Sequence, residues 1–240
     1  MLEFAPAPAA LGPDQRVYAV GDIHGCLERL LAVHAAIAAD LAERPVGRAM
    51  LIHLGDLIDR GPDSAGVVDF LAGEPRPAGI GETVTLLGNH EALMLAALDA
   101  PDADEAPRLW IVNGGAEALH SWLVPRQVEP KDWAAHLPAA HLAFLRDRPL
   151  SLRLDGYLFV HAGIRPGVPL EHQERHDLLW IREPFLSSKA DHGAVVVHGH
   201  TPRPAPEVRP NRIGIDTGAV MGGVLTCLVL EADRLGFLSA

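Results

Sequence analysis

Two cysteines, Cys26 and Cys227, are all that this chain contains in 240 residues. They are too few and too far apart in sequence for a disulfide framework or a Cys-x-x-Cys metal knuckle, so a reducing cytoplasm is the expected compartment. Long hydrophobic runs are missing too. Apolar stretches such as Ala32–Ala39 fall well short of the roughly 20 residues that cross a bilayer, and no membrane association is expected. Residues Met1–Pro13 lack the basic start and apolar run of a secretion signal; residues 1–14 read as a loose tail. Positive charge is also scarce: 20 Lys and Arg against 31 Asp and Glu leave a net charge of -11. Broad contact with nucleic acid is therefore not expected, because it depends on cations that neutralise phosphates. A small phosphate site is compatible with that balance.

What the chain does have is enough apolar residue, 48%, to bury one sizeable core, and residues 15–240 read as a single domain. Arg16–Val20 alternates and runs into Gly-Asp, and Leu27–Leu41 then carries apolar residues at helical spacing. Ala49–Leu54 is a second apolar run, followed by a helix predicted over Ser64–Ala72 with Ser64 as N-cap. Thr83–Leu87 is a third, followed by a helix from about Glu91 to Leu98. Three strand-loop-helix units in series predict a parallel sheet covered by helices. A helical insert is expected at about 101–148, holding three of the four tryptophans. From Ser151 onward, short strands at Ser151–Leu154, Tyr157–Val160, Ala194–Val197, Arg212–Ile215 and Val224–Leu230 suggest a second sheet packed on the first.

Thirteen histidines is a high count, and imidazole is the commonest transition-metal ligand. Several of them sit in glycine-bordered loops after apolar runs. Gly21-Asp22-Ile23-His24-Gly25 follows the first run, and Gly55-Asp56-Leu57-Ile58-Asp59-Arg60-Gly61 the second. Gly88-Asn89-His90-Glu91, His161-Ala162-Gly163 and His198-Gly199-His200-Thr201 follow three more. Any one of these would pass for an ordinary polar turn. Five apolar runs, each delivering Asp, Asn or His to the carboxyl end of a strand, point instead to one convergent site.

These motifs and their order resemble the metallophosphoesterases of the phosphoprotein phosphatase family, in particular the bacterial and phage branch typified by phage lambda protein phosphatase. Asn113-Gly114-Gly115, Leu179-Trp180-Ile181-Arg182-Glu183 and Ile215-Asp216-Thr217-Gly218-Ala219 fit it as well. The resemblance spans Arg16 to Leu230 and implies an α/β fold, the four-layer α/β/β/α sandwich of the calcineurin-like metallophosphoesterase type. It further implies two divalent metal ions, manganese first and iron or zinc next. Asp22 and His24 would hold one ion, Asn89, His161 and His200 the other, with Asp56 as the bridge. By the same resemblance Arg60 and Arg182 would grip phosphate oxygens, since a guanidinium donates two parallel hydrogen bonds. His90 would protonate the leaving group and Asp59 would orient its ring.

The implied activity is hydrolysis of phosphomonoesters on serine and threonine in proteins, with phosphotyrosine and small aryl phosphates as side substrates. One departure bears on this. Relatives that act on phosphoproteins usually carry arginine immediately before Gly-Asn-His-Glu, where this chain has Leu87. The dinucleoside-tetraphosphate hydrolases of the superfamily commonly have an apolar residue there, although they tend to read Gly-Asn-His-Asp; they are the alternative. A scaffold that binds metal without catalysis is a third reading, opposed by the joint presence of His90, Asp59 and Arg60. His34 and His53 are expected to be packed in the core, and His120, His136, His141, His172, His176 and His192 to lie at the surface. His198 is a candidate to support the site, and Cys26 is expected to be a small filler.

Overall fold

The computed structural model describes residues 2–100 and 105–240. β1 (Ala5–Pro6) and β2 (Gln15–Val20) lead into α1 (Leu27–Glu43), then β3 (Arg48–His53), α2 (Ser64–Ala72), β4 (Glu82–Thr85) and α3 (Asn89–Asp99). The insert is α4 (Glu105–Trp110), a π-turn over Ile111–Gly115, α5 (Ala116–Ser121), a 3₁₀ turn over Pro130–His136 and α6 (Ala139–Arg146); the start of the range expected for it, residues 101–104, lies outside the described residues. There follow β5 (Ser151–Leu154), β6 (Tyr157–Val160), α7 (Arg175–Trp180), β7 (Val195–His198), β8 (Glu207–Val208), β9 (Arg212–Gly214), β10 (Thr226–Glu231) and β11 (Arg234–Ser239).

Two sheets result. The first runs β1-β11-β10-β2-β3-β4 and the second β5-β6-β7-β9-β8. Alternation along each strand decides what lies between them. Val17 and Ala19 of β2 and Ile52 of β3 face Tyr157, Phe159, Val195, Val197 and Ile213 of the second sheet in one buried cluster. Tyr18, Val20 and Leu51, on the opposite face, meet Leu30, Val33 and Ile37 of α1 and Val67 and Val68 of α2. Leu158, Val160 and Val196 meet Leu178 of α7 and Phe185 on the far side. The four-layer α/β/β/α order expected from the sequence is thus present.

Parallel register aligns the strand ends. Val20 pairs with His53, and His53 with Thr85, so the loops at Asp22, Asp56 and Asn89 leave from one edge. Phe159 pairs with Val197 in the second sheet, which brings His161 and His200 out together at its own edge.

Three details differ from the sequence reading. The run at Val224–Leu230 joins the first sheet rather than the second, as β10 antiparallel to β2; it is apolar on both faces, with Leu228 and Leu230 in the cluster between the sheets and Cys227 and Val229 in the cluster under the helices, so its pattern does not mark which sheet it joins. The residues read as a loose tail lie against the sheet: β1 pairs with β11, Leu11 is buried, and the Tyr157 hydroxyl donates to the Ala9 carbonyl at 2.5 Å. The N-cap of α2 is Asp63, whose Oδ1 accepts the Gly66 N–H at 2.8 Å. Ser64 is instead used by Asp59, whose N–H donates to Ser64 Oγ at 2.9 Å.

Candidate active site

Asp56 stands at the centre. Its Oδ2 lies 3.5 Å from His24 Nε2 and 3.9 Å from His90 Nε2, and its Oδ1 lies 3.3 Å from His161 Nε2. Asn89 Oδ1 is 2.8 Å from both His161 Nε2 and His200 Nδ1. Asp22 accepts the His200 N–H at 3.0 Å on Oδ2 and 3.2 Å on Oδ1. Five of the six side chains named as ligands by resemblance, His24, Asp56, Asn89, His161 and His200, are therefore brought together, and Asp22 joins them only through the His200 backbone, 178 positions along the chain.

The ring nitrogens are sorted by the backbone. His24 Nδ1 sits 2.8 Å from the Ile58 carbonyl and His161 Nδ1 3.0 Å from the Leu54 carbonyl. A carbonyl can only accept, so each Nδ1 carries the proton and each Nε2 presents a lone pair toward Asp56. Two groups, His24–Asp56–His90 and Asp56–His161–His200, have ligand atoms within 4.8 Å of one another. Acceptors of mixed oxygen and nitrogen type facing one another across such distances fit divalent transition metals. In the first group His90 stands where the sequence reading placed Asp22, whose carboxylate turns to the His200 backbone.

Burial and electrostatics agree with neutral imidazoles. Burial pulls His24 down to about 4 and His200 to about 3, and lowers His161 as well. Burial works to raise the Asp56 carboxyl, but His161, His90, His24 and His200 around it outweigh that and hold it well below the usual range. Asp22 goes the other way, raised by burial and by the nearby Asp216 and Asp56 carboxylates. For His90, burial opposes the charged form, yet Asp56 and Asp59 raise it overall.

His90 Nδ1 meets Asp59 Oδ2 at 2.7 Å, with Asp59 wholly buried. Arg60 Nη1 lies 3.0 Å from His24 Nε2, donating to that lone pair. Arg182 is exposed just beyond α7, and its charge helps to hold His161 and His200 neutral.

Three residues in the site went unassigned from sequence. Glu91, fully buried, accepts the N–H groups of Asp56 at 2.9 Å, Leu57 at 2.8 Å, Ile58 at 3.2 Å and Gly88 at 2.8 Å. Its place three residues after the helix-capping Gly88 was the legible signal. Trp110 donates its indole N–H to Asp59 at 3.0 Å and 3.1 Å. Asp216, beside Asp22, accepts the Gly218 N–H at 3.0 Å. Asp216 lies in the Ile215–Ala219 motif, which was the signal for it; Trp110 has no local sequence signature.

The remaining histidines are dispersed. His34 and His53 pack in the core as expected, their Nε2 atoms 3.0 Å apart. His141, expected at the surface, is buried and accepts the Trp122 indole N–H at 3.0 Å. His198 stacks edge-on to Phe185 with ring centroids 5.1 Å apart and faces Arg212, whose Nη1 is 3.4 Å away; its side chain is held there rather than by the ligand set. The Cys26 thiol, half-buried, is pushed up by burial, away from thiolate reactivity. Beside Arg60, a cavity of about 600 Å³ is lined by Ile111, Leu119, Val124, Val128 and Trp133 together with Arg126.

A two-sheet sandwich whose strand-end loops gather acceptor side chains around one aspartate is the architecture of a metal-dependent phosphoesterase. The sequence profile of the calcineurin-like phosphoesterases matches residues 15–221, and the chain belongs to that family. It is 32% identical over 231 residues to serine/threonine-protein phosphatase 1 of Salmonella typhimurium, covering 88% of this chain and 90% of that protein. It is 30% identical over 274 residues to a symmetrical bis(5'-nucleosyl)-tetraphosphatase of Nitrosospira multiformis, covering 92% and 94%. Among solved structures, a cold-active protein tyrosine phosphatase superposes with a TM-score of 0.61 at 18% identity, covering 94% of this chain and 78% of that one; this likeness concerns the fold alone. Among the described residues no helix is long and apolar enough to cross a membrane.

Proposed function

We propose that the chain hydrolyses phosphomonoesters with two divalent cations, and that phosphorylated serine and threonine in proteins are its substrates. The observation that supports this best is the convergence on Asp56 of the proton-free Nε2 atoms of His24 and His161, with Asn89 and His200 beside them and a buried His90–Asp59 pair next to the group. In this reading Asp22 and His24 would hold one cation and Asn89, His161 and His200 the other, with Asp56 shared between them. Manganese is the proposed metal; iron and zinc accept the same donors. When bound, the cations supply Lewis-acid polarisation of the phosphoryl group and acidify water.

The chain's own residues do the rest. Arg60, whose Nη1 lies beside His24 Nε2, would turn its guanidinium fork to a phosphate oxygen, and Arg182, exposed just beyond α7, would supply a second. His90, tied through Nδ1 to Asp59, keeps Nε2 toward Asp56 and gives its proton to the departing alkoxide oxygen. The cytoplasm is the proposed compartment, in keeping with two free cysteines.

A second reading, hydrolysis of dinucleoside polyphosphates, is favoured by two observations: apolar Leu87 in place of arginine, and the cavity beside Arg60, which is large enough for a nucleobase. The deciding assay compares a phosphoserine peptide with diadenosine tetraphosphate, using metal-stripped protein resupplied with manganese. Preferential turnover of the peptide is expected, and preference for the dinucleotide would replace the first reading with the second.

A further inference from the structure

Asp59 and Arg60 occupy an awkward stretch of backbone. Both have positive φ, 72° and 66°, a conformation that non-glycine residues seldom adopt and that persists only where neighbours impose it. The neighbours come from the insert, more than 50 residues further along the chain. The Arg60 N–H donates to the Gly114 carbonyl at 3.1 Å, and Gly114 itself has φ 109°. A Cβ on Gly114 would fall 2.6 Å from Arg60 Cγ and 2.8 Å from its backbone nitrogen, so the two segments touch main chain to main chain.

Trp110 approaches Asp59 from the same turn. Its ring is fully buried and packs edge-on to Trp133, centroids 5.5 Å apart. A Cβ on Gly115 would lie 2.6–2.7 Å from three of its ring atoms. Its N–H reaches both carboxylate oxygens almost equally, at 3.0 Å and 3.1 Å. Rotation about the final torsion of aspartate is soft, and a donor bisecting the two oxygens removes that freedom. Oδ2 is then held toward His90 Nδ1, 2.7 Å away. A ring serving only to fill the core would have no need of an N–H at this point.

We propose that Trp110, fixed by the Ile111–Gly115 turn, is a positioning residue for the proton donor: it sets the plane of the Asp59 carboxylate and through it the ring of His90. The proposal rests on the hydrolytic reading above for its kinetic consequence but not for its structural one. Trp110→Phe keeps an aromatic ring and removes the donor. In that variant, turnover of a phosphoserine peptide should fall by about tenfold more than turnover of p-nitrophenyl phosphate, whose leaving group needs no proton, with metal content retained. The extra loss should vanish in an Asp59→Asn background. A readout without turnover is the proton resonance of His90 Nδ1–H, assigned by its disappearance in His90→Asn; it should move upfield or broaden in Trp110→Phe. Gly115→Ala, which crowds the indole without removing it, should act in the same direction should Trp110→Phe fold poorly. Equal losses on both substrates, undiminished loss in the Asp59→Asn background, or an unmoved His90 resonance would each overturn the proposal. Wild-type protein that hydrolyses neither substrate would count against the hydrolytic reading, while the resonance would still decide the link from Trp110 to His90.

Discussion

The Glu91 carboxylate accepts the Asp56 N–H at 2.9 Å, so the residue at the centre of the site is held by a side chain from the first turn of α3. The same carboxylate takes the N–H groups of Leu57, Ile58 and Gly88, and Asp56 itself sits at φ 48°. Glu91→Gln keeps the shape but presents an amide NH₂ to some of those donors. Two buried N–H groups left unpaired should cost on the order of 2–4 kcal/mol, measurable by denaturant unfolding, together with weaker metal retention. A Glu91→Gln protein as stable as wild type would show that this carboxylate does not tie the loops together.

Removing metal should abolish hydrolysis of p-nitrophenyl phosphate, and added manganese should restore it. Asp56→Asn should lose more metal than His161→Ala, because Asp56 faces both groups of ligand atoms. Elemental analysis tests this directly: two ions still bound to Asp56→Asn protein would contradict the bridge.

His90→Asn should retain metal and phosphate affinity, because His90 stands beside the ligands without being assigned as one. General acid catalysis is worth about 10²–10⁴-fold, and a serine alkoxide needs the proton far more than a nitrophenolate does. Activity on a phosphoserine peptide should therefore drop much further than activity on p-nitrophenyl phosphate. Loss of metal along with activity would make His90 a ligand instead, as its place in the first ligand group would allow.

The buried His34–His53 pair should weaken the fold in acid. Burial lowers His34 to about 4, and burial together with the neighbouring His34 holds His53 well below its ordinary 6.5, so both are neutral when folded, whereas the unfolded chain takes up protons below about 6.5. Stability is present in full above that pH and is lost as pH falls toward 4. The loss is about 2 kcal/mol between pH 7.5 and 5 for each imidazole kept neutral. Unfolding of a His34→Leu/His53→Leu protein, measured at both pH values, should show its stability relative to wild type improving in acid. A pH-independent difference would mean the pair takes up protons in the fold as readily as in the unfolded chain.

The local pattern carried much of this. Apolar runs ending in Gly-Asp, Gly-Asn or His gave the strand ends, and helix α2 begins and ends where its periodicity says, because period and turn chemistry are properties of neighbouring residues. That His24, Asp56, Asn89, His161 and His200 gather, with His90 against Asp59, was legible because each lies in a short motif whose order resembles a known family, whereas the turn of Asp22 toward the His200 backbone was not.

What the sequence could determine by itself was therefore which side chains leave which strand ends. Only the tertiary structure decided how they meet and what supports them. That β10 lies beside β2, that Glu91 closes four N–H groups of two loops, and that Trp110 reaches Asp59 from 51 positions away depend on contacts between distant segments. A buried tryptophan satisfies local packing in the same way whether or not its N–H finds a carboxylate, so the residue alone carries no mark of the partner; the packed layers, which bring that carboxylate to 3.0 Å, supply it.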